Sequence, residues 1–189
     1  MNNKRSHMRV ISGIARGRRL KAVPGQSTRP TTDKVKESIF SMIGPYFEGG
    51  LVLDLFAGTG ALGIEALSRG FERAVFIDIQ PMALQVIKSN LEVTNFLDRA
   101  DVYRNDAKRA LKLLLKQEQQ FDLVFMDPPY HMNMYEQLIV MMADNNLLAI
   151  DAMILCEHQA SVQLPDQILN LSKYKTAVYG ESAVTIYKK

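Results

Sequence analysis

From Leu51 onward, short apolar runs alternate with longer stretches whose apolar positions recur at helical spacing. The runs at 51–56, 74–79, 100–104, 121–127 and 152–158 predict strands, and the segments 61–69, 81–94, 107–116 and 133–143 predict the helices between them. A hairpin turn is too short to carry the chain past a helix, so such strands must pair in parallel through right-handed crossovers. A doubly wound, mostly parallel α/β sheet is the expected architecture. Near the end, 176–179 and 183–187 flank Gly180-Glu181-Ser182 and predict a closing antiparallel pair, which brings the sheet to seven strands.

The first fifty residues read differently. Two β-prone stretches, Arg9-Val10-Ile11 and Arg19-Leu20-Lys21-Ala22-Val23, flank the segment 13–17 and predict a basic hairpin. A loop over 24–30 follows. Thr31 or Thr32 can cap a helix whose apolar positions are Val35, Ile39, Met42 and Ile43, ended by Gly44-Pro45. The expected organisation is therefore a basic extension at 8–46 joined to an α/β domain at 47–189, with 1–7 a cloning remnant ahead of Met8.

Composition narrows the class. The chain has 189 residues, 47% of them apolar, enough for one sizeable core. It has no apolar run of membrane-spanning length and no secretory leader pattern, so a soluble, cytoplasmic protein is expected. The single Cys156 lies in the apolar run Ala152-Met153-Ile154-Leu155-Cys156 and predicts a buried strand position rather than a reactive thiol. His7, His131 and His158 lack ligand spacing, so no metal is expected. Residues 1–40 carry ten Lys or Arg against Asp33 and Glu37, a net +8, whereas 41–189 carry 13 basic and 18 acidic residues, a net −5. Basic charge concentrated at one end favours a polyanion as partner.

Three strand ends carry candidate chemistry. The first is Asp54-Leu55-Phe56-Ala57-Gly58-Thr59-Gly60-Ala61-Leu62-Gly63, where glycines let the backbone approach a ligand and the next helix offers free N–H groups. Gly58, Gly60 and Gly63 also satisfy the G-x-G-x-x-G dinucleotide pattern, with Asp78 twenty residues beyond Gly58, so this motif alone leaves a nicotinamide-dependent oxidoreductase open. Asp54 begins to separate the two, because an acid here suits a cofactor with a cationic amino-acid tail, S-adenosylmethionine, better than a pyrophosphate. Asp78 closes the second strand and can accept both ribose hydroxyls. Asp106 follows the third strand and has two readings, acceptor for an adenine amino group or helix N-cap. With their neighbours Phe56, Ala57, Ile79 and Ala107, these residues form the candidate cofactor set.

The fourth strand runs into Asp127-Pro128-Pro129-Tyr130. The prolines fix the backbone so that a carbonyl points into the site, Asp127 adds a second acceptor, and Tyr130 offers a flat surface. This set suits an amino group on a base. Its nitrogen lone pair is delocalised into the ring, and two acceptors gripping the N–H bonds would aim that lone pair at a methyl donor. A basic RNA-binding module with a scaffold-only α/β part is the reading left if no cofactor binds.

With these residues in place the chain resembles the class I S-adenosylmethionine-dependent methyltransferases, Rossmann-like in fold, and among them the bacterial 16S ribosomal RNA guanine-N2 methyltransferases of the RsmD type. The resemblance rests on Arg9-Val10-Ile11-Ser12-Gly13, Arg16-Gly17-Arg18-Arg19-Leu20, Arg29-Pro30-Thr31, 34–40, the loop 54–63, Asp127-Pro128-Pro129-Tyr130 and Tyr179-Gly180-Glu181-Ser182. It departs from the family where lysines stand for common arginines at 34 and 36, and where Glu181-Ser182 stands for an Asp-Thr pair. Asp-Pro-Pro-Tyr is shared with adenine methyltransferases, so by itself it defines only an amino acceptor. The resemblance implies one methyl group added to a guanine N2 in small-subunit ribosomal RNA, on a partly assembled subunit, by a monomer. The concentration of basic charge makes Arg9, Arg16, Arg18, Arg19, Arg29 and Lys34 the expected RNA contacts.

Overall fold

The computed structural model describes residues 8–24, 33–129 and 134–189. In chain order the elements are α1 (Asp33–Ile43), β1 (Leu51–Asp54), α2 (Ala61–Ser68), β2 (Arg73–Asp78), α3 (Pro81–Thr94), β3 (Ala100–Arg104), α4 (Ala107–Leu114), β4 (Phe121–Met126), α5 (Tyr135–Asp144), β5 (Leu148–Gln159), β6 (Gln167–Ile168), β7 (Leu171–Tyr179) and β8 (Ser182–Lys188). They build one sheet in the order β3-β2-β1-β4-β5-β8-β7-β6. The first five strands pair in parallel, and β8, β7 and β6 join antiparallel. Strand order reverses between β1 and β4, so a crevice opens there at the carboxyl edge, where ligands of open α/β sheets bind.

The sheet separates two apolar layers. One face packs against the N-terminal segment, α1, α2 and α3 through residues such as Val10, Phe40, Ile64 and Leu91. The other packs against α4 and α5 through Leu111, Leu114, Leu138 and Ile139. Every residue of α2 is buried, Glu65 and Ser68 included, because the sheet covers one side and the N-terminal segment the other. Met8, Val10, Ala15 and Leu20 thus share a core with the sheet. Cys156 is buried in β5, and burial raises its thiol pKa, which keeps the unreactive thiol form.

Two expectations change. The sheet has eight strands rather than seven, because the two residues of β6 pair with β7, and β7 begins at Leu171. Ser172, Lys175 and Thr176 are polar and exposed, which hides the start of β7 from a search for apolar runs. The expected N-terminal hairpin contracts to a single bridge between Arg9 and Arg19, supported by bonds from Val10 N–H to the Arg18 carbonyl and Leu20 N–H to the Met8 carbonyl. Beyond it the backbone donors turn to helix side chains. Ile11 and Ser12 donate to the Glu65 carboxylate at 2.8 and 3.0 Å, Ala15 to Ser68 Oγ at 3.0 Å, and Lys21 to Asn90 Oδ1 at 2.7 Å. A ladder cannot continue where its donors are already spent.

Glu65 also meets Arg69 Nε at 2.8 Å and Lys36 Nζ at 3.8 Å, and Lys36 donates to the Arg9 carbonyl. Lys36 is fully enclosed, and burial lowers its pKa against the pull of Glu65. Removing the carboxylate strands two cations and two backbone donors. Glu65→Ala is therefore expected to cost about 3–5 kcal/mol, measured as a fall in the urea midpoint without a change in slope. A loss below about 1 kcal/mol would show that the surrounding donors find other partners.

Candidate active site

The carboxyl ends of β3, β2, β1 and β4 are neighbours, so the residues following them gather along one edge. Asp54 ends β1 and is buried, and its Oδ2 accepts the Gly63 N–H at 3.2 Å. The chain then turns through Phe56, half-buried, and Ala57, which is buried and donates its N–H to the Ile77 carbonyl at 2.9 Å. Gly58 has φ +53, and a Cβ added there would meet nothing within 4 Å. Open space therefore lies over this turn. Gly63 serves a different purpose, since its Cβ would fall 2.4 Å from the Phe76 ring. That glycine brings α2 onto the sheet.

Asp78 ends β2 with both oxygens engaged, Oδ2 by the Gly58 N–H at 2.8 Å and Oδ1 by the Gln80 N–H at 2.9 Å. Each oxygen keeps a second lone pair for a ligand hydroxyl. Ile79 beside it is 60% exposed, an apolar surface at the lip of the crevice. Asp106 is the N-cap of α4, where Oδ1 accepts from Lys108 and Arg109 N–H at 3.1 and 3.2 Å, and Ala107 is buried behind it. Both cap bonds fall on Oδ1. Oδ2 faces no backbone donor of the helix, so the cap and an amino-group acceptor can coexist on one carboxylate.

Asp127 follows β4 with its surface open to the crevice, Pro128 is buried and Pro129 exposed. Tyr130 lies outside the described residues. Although open to the crevice, the Asp127 carboxyl is closely surrounded by protein, and burial followed by the charges of Glu157 and Asp54 raises its pKa well above the usual carboxylate range. Burial pushes the Asp54 pKa up to about 7, opposed by the Gly63 N–H and assisted by the Asp78 charge. Acidic groups are thus gathered in the crevice, and burial favours their neutral forms until a cation or N–H donors arrive. Such a site favours a positively charged ligand group and disfavours a pyrophosphate above the glycine turn.

Sequence reasoning missed two members. Glu157 stands in β5 at the level of Asp127, and its only sequence signal was an acid directly after an apolar run. Asn90, buried on α3, donates to the Thr59 carbonyl at 2.9 Å and the Lys21 carbonyl at 3.1 Å, tying the glycine turn to the N-terminal segment. In that segment Arg9, Arg16, Arg18, Arg19 and Lys34 are exposed, with Arg9 paired to Asp33 at 2.8 Å. Arg29 lies outside the described residues. The apolar groove lined by Ile43, Phe47, Phe71 and Ile150 opens at the opposite, amino edge, where Asp122 is committed to the Leu51 N–H at 2.7 Å. Among the described residues no group of three or more His, Cys, Asp or Glu is placed to hold a metal ion, and no helix is long and apolar enough to cross a membrane.

Sheet order and the strand-end acids together define a Rossmann-like fold of the class I methyltransferase kind. The chain belongs to the family described as Conserved hypothetical protein 95, which matches residues 8–188. The Bacillus subtilis protein YlbH is 53% identical over 182 residues, 96% of this chain and 99% of its own length. Ribosomal RNA small subunit methyltransferase D of Escherichia coli K12 is 34% identical over 96% of this chain and 90% of its own. Among solved structures, that of the putative methyltransferase yhhF from Escherichia coli superposes with a TM-score of 0.80, at 35% identity over 97% of this chain and 98% of that one.

The raised pKa of Asp54 has a thermodynamic consequence. Its unfolded value is about 3.9, so the folded state holds the proton more tightly, and stability is greatest below that pH and declines as pH rises towards 7. For the ligand-free protein the decline is at most about 1.4 kcal/mol per pH unit for this one proton. Asp54→Asn should make the decline shallower in urea denaturation performed across pH 4 to about 7. An unchanged slope would remove Asp54 as its source.

Proposed function

We propose that this protein transfers a methyl group from S-adenosylmethionine to the exocyclic N2 amine of a guanine in 16S ribosomal RNA. The observation that carries this reading is the convergence, at one edge of the sheet, of an acid-lined glycine turn with Asp127-Pro128-Pro129. The name of the Escherichia coli relative supports RNA of the small subunit as substrate.

The crevice fits the cofactor. Asp54 supplies a buried carboxyl that a cationic amino-acid tail would hold ionised, the open space over Gly58 admits it, Asp78 has lone pairs for the ribose, and Ile79 and Asp106 offer a surface and an acceptor to the adenine. Phe56, Ala57, Gly60 and Ala107 shape the turn and helix start around it. When bound, S-adenosylmethionine supplies an electrophilic methyl group on a sulfonium.

Asp127 and the Pro128 carbonyl hold the guanine amino group by its two N–H bonds, and Tyr130 stacks the ring. The N2 lone pair forms the new C–N bond as the methyl–sulfur bond breaks, with the electron pair of that bond remaining on sulfur. The methylated nitrogen is strongly acidic, so its proton leaves to Asp127 or water without a powerful base. A base paired in a helix cannot reach this crevice, and the target is flipped or unpaired at a cost of a few kcal/mol, offset in part by stacking worth about 1–3 kcal/mol. Arg9, Arg16, Arg18, Arg19, Arg29 and Lys34 hold the surrounding phosphates. The substrate is a partly assembled small subunit in the cytoplasm, and the enzyme acts as a monomer.

Mass spectrometry of digested ribosomal RNA after reaction tests the product directly, and a methyl group on a ring nitrogen or carbon would overturn the exocyclic-amine chemistry. Asp127→Asn should lower the single-turnover methylation rate by about 100-fold or more while RNA and cofactor affinities stay within a few-fold. Near-normal turnover would remove Asp127 from the reaction. Charge reversal at Arg16, Arg18 and Arg19 should abolish RNA binding and spare cofactor affinity in calorimetry. In the unmodified protein, log affinity for RNA should fall with log salt by roughly 0.7–0.9 per phosphate contact. RNA affinity that survives the triple change would give the segment another role.

A further inference from the structure

A second acid stands beside Asp127. Strands β4 and β5 are parallel with Met126 opposite Cys156, so the residues that follow, Asp127 and Glu157, rise side by side on one face. Phe125 and Leu155, two residues earlier on each strand, both lie in the core beneath the N-terminal segment and α1, which identifies that face as the one carrying the basic residues. The backbone of Glu157 is held on both sides, opposite Val184 of β8 and by the Tyr135 hydroxyl, which donates to its carbonyl at 2.6 Å. Its side chain is half-buried, with Oε2 screened from solvent. Its charge also reaches Asp127, where it is the largest contribution after burial to the raised pKa.

We infer that Glu157 selects guanine, by accepting the ring N1–H next to the amino group held by Asp127 and the Pro128 carbonyl. The inference rests on the reading of the site proposed above. Guanine presents N1–H and the 2-amino group as adjacent donors along one edge. Adenine and cytosine instead place a ring acceptor beside their amino group. A carboxylate adjoining the amine-holding acceptors therefore attracts the first and repels the others, and its bond to guanine is charge-assisted. Discrimination is strong because a wrong base leaves the carboxylate facing a lone pair with no donor. Asp-Pro-Pro-Tyr alone accepts any base amine. Glu157 supplies what that tetrapeptide lacks.

The test compares RNA containing guanine at the target position with RNA containing 2-aminopurine there, which keeps the 2-amino group but carries a lone pair at N1. The unaltered protein should show kcat/KM lower on 2-aminopurine by about 10- to 100-fold. In Glu157→Gln the amide can donate to that lone pair, so the ratio should shrink to within a few-fold while cofactor affinity is unchanged. Equal use of both bases by the unaltered protein overturns the role of Glu157 without need of any variant, and so does a discrimination ratio that Glu157→Gln leaves intact. Absence of N2 methylation on guanine itself would instead overturn the reading of the site, so the two failures are distinguishable.

Discussion

The Glu65 carboxylate, enclosed in the middle of α2, gathers the donors of three separate parts of the chain: the N–H groups of Ile11 and Ser12, the Arg69 guanidinium of the same helix end, and the Lys36 ammonium of α1. A buried carboxylate is tolerable only when its lone pairs are filled, so each donor is held where it stands. This makes the basic N-terminal segment a fixed cover over α2. The helix then works as a ruler. Gly60 and the glycine turn lie at its start, and Ser68 at its end accepts the Ile14 N–H on its carbonyl and the Ala15 N–H on Oγ. Eight residues of helix span roughly 12 Å, which sets the separation between the glycine turn and the arginine-bearing tip.

Charge is divided along the same line. The N-terminal segment displays exposed arginines, whereas the crevice holds Asp54, Asp78, Asp127 and Glu157. A nucleic-acid backbone is attracted to the first and repelled by the second. A base, which brings N–H donors and no phosphate, suits the acidic crevice better than the nucleic-acid backbone does. The raised pKa values of Asp54 and Asp127 describe the same condition from inside, since burial and neighbouring acids disfavour their charges in the ligand-free protein. Ligand-free stability is given up at neutral pH and recovered on binding, an ordinary trade at functional sites.

Much of the sheet was legible from periodicity. The helix at 81–94 coincides with α3 because Pro81 opens it and Asn95, left-handed with φ 61, closes it. The strand at 100–104 coincides with β3 for a similar reason, a short β-prone run bounded by a turn and a capping Asp106. The edge strands were less legible. β7 is polar and exposed over much of its length and β6 has two residues, so neither leaves an apolar run to detect. The N-terminal hairpin is cut short for a different reason, because the donors of Ser12, Ala15 and Lys21 are taken by Glu65, Ser68 and Asn90, partners between 53 and 69 residues away.

What the sequence determined by itself was the alternation of elements and the chemistry carried at each strand end, because both depend on residues close together in the chain. Asp54, Asp78, Asp106 and Asp127 could be named as strand-terminal acids from apolar runs and glycines alone. The tertiary structure decided which of them meet, and which charges face solvent. Lys36 counts as basic in the sequence but is buried against Glu65 and adds nothing to the surface field. Glu157 gains its position only because β5 pairs with β4 in one particular register, a fact set by how two distant segments pack rather than by anything local to either.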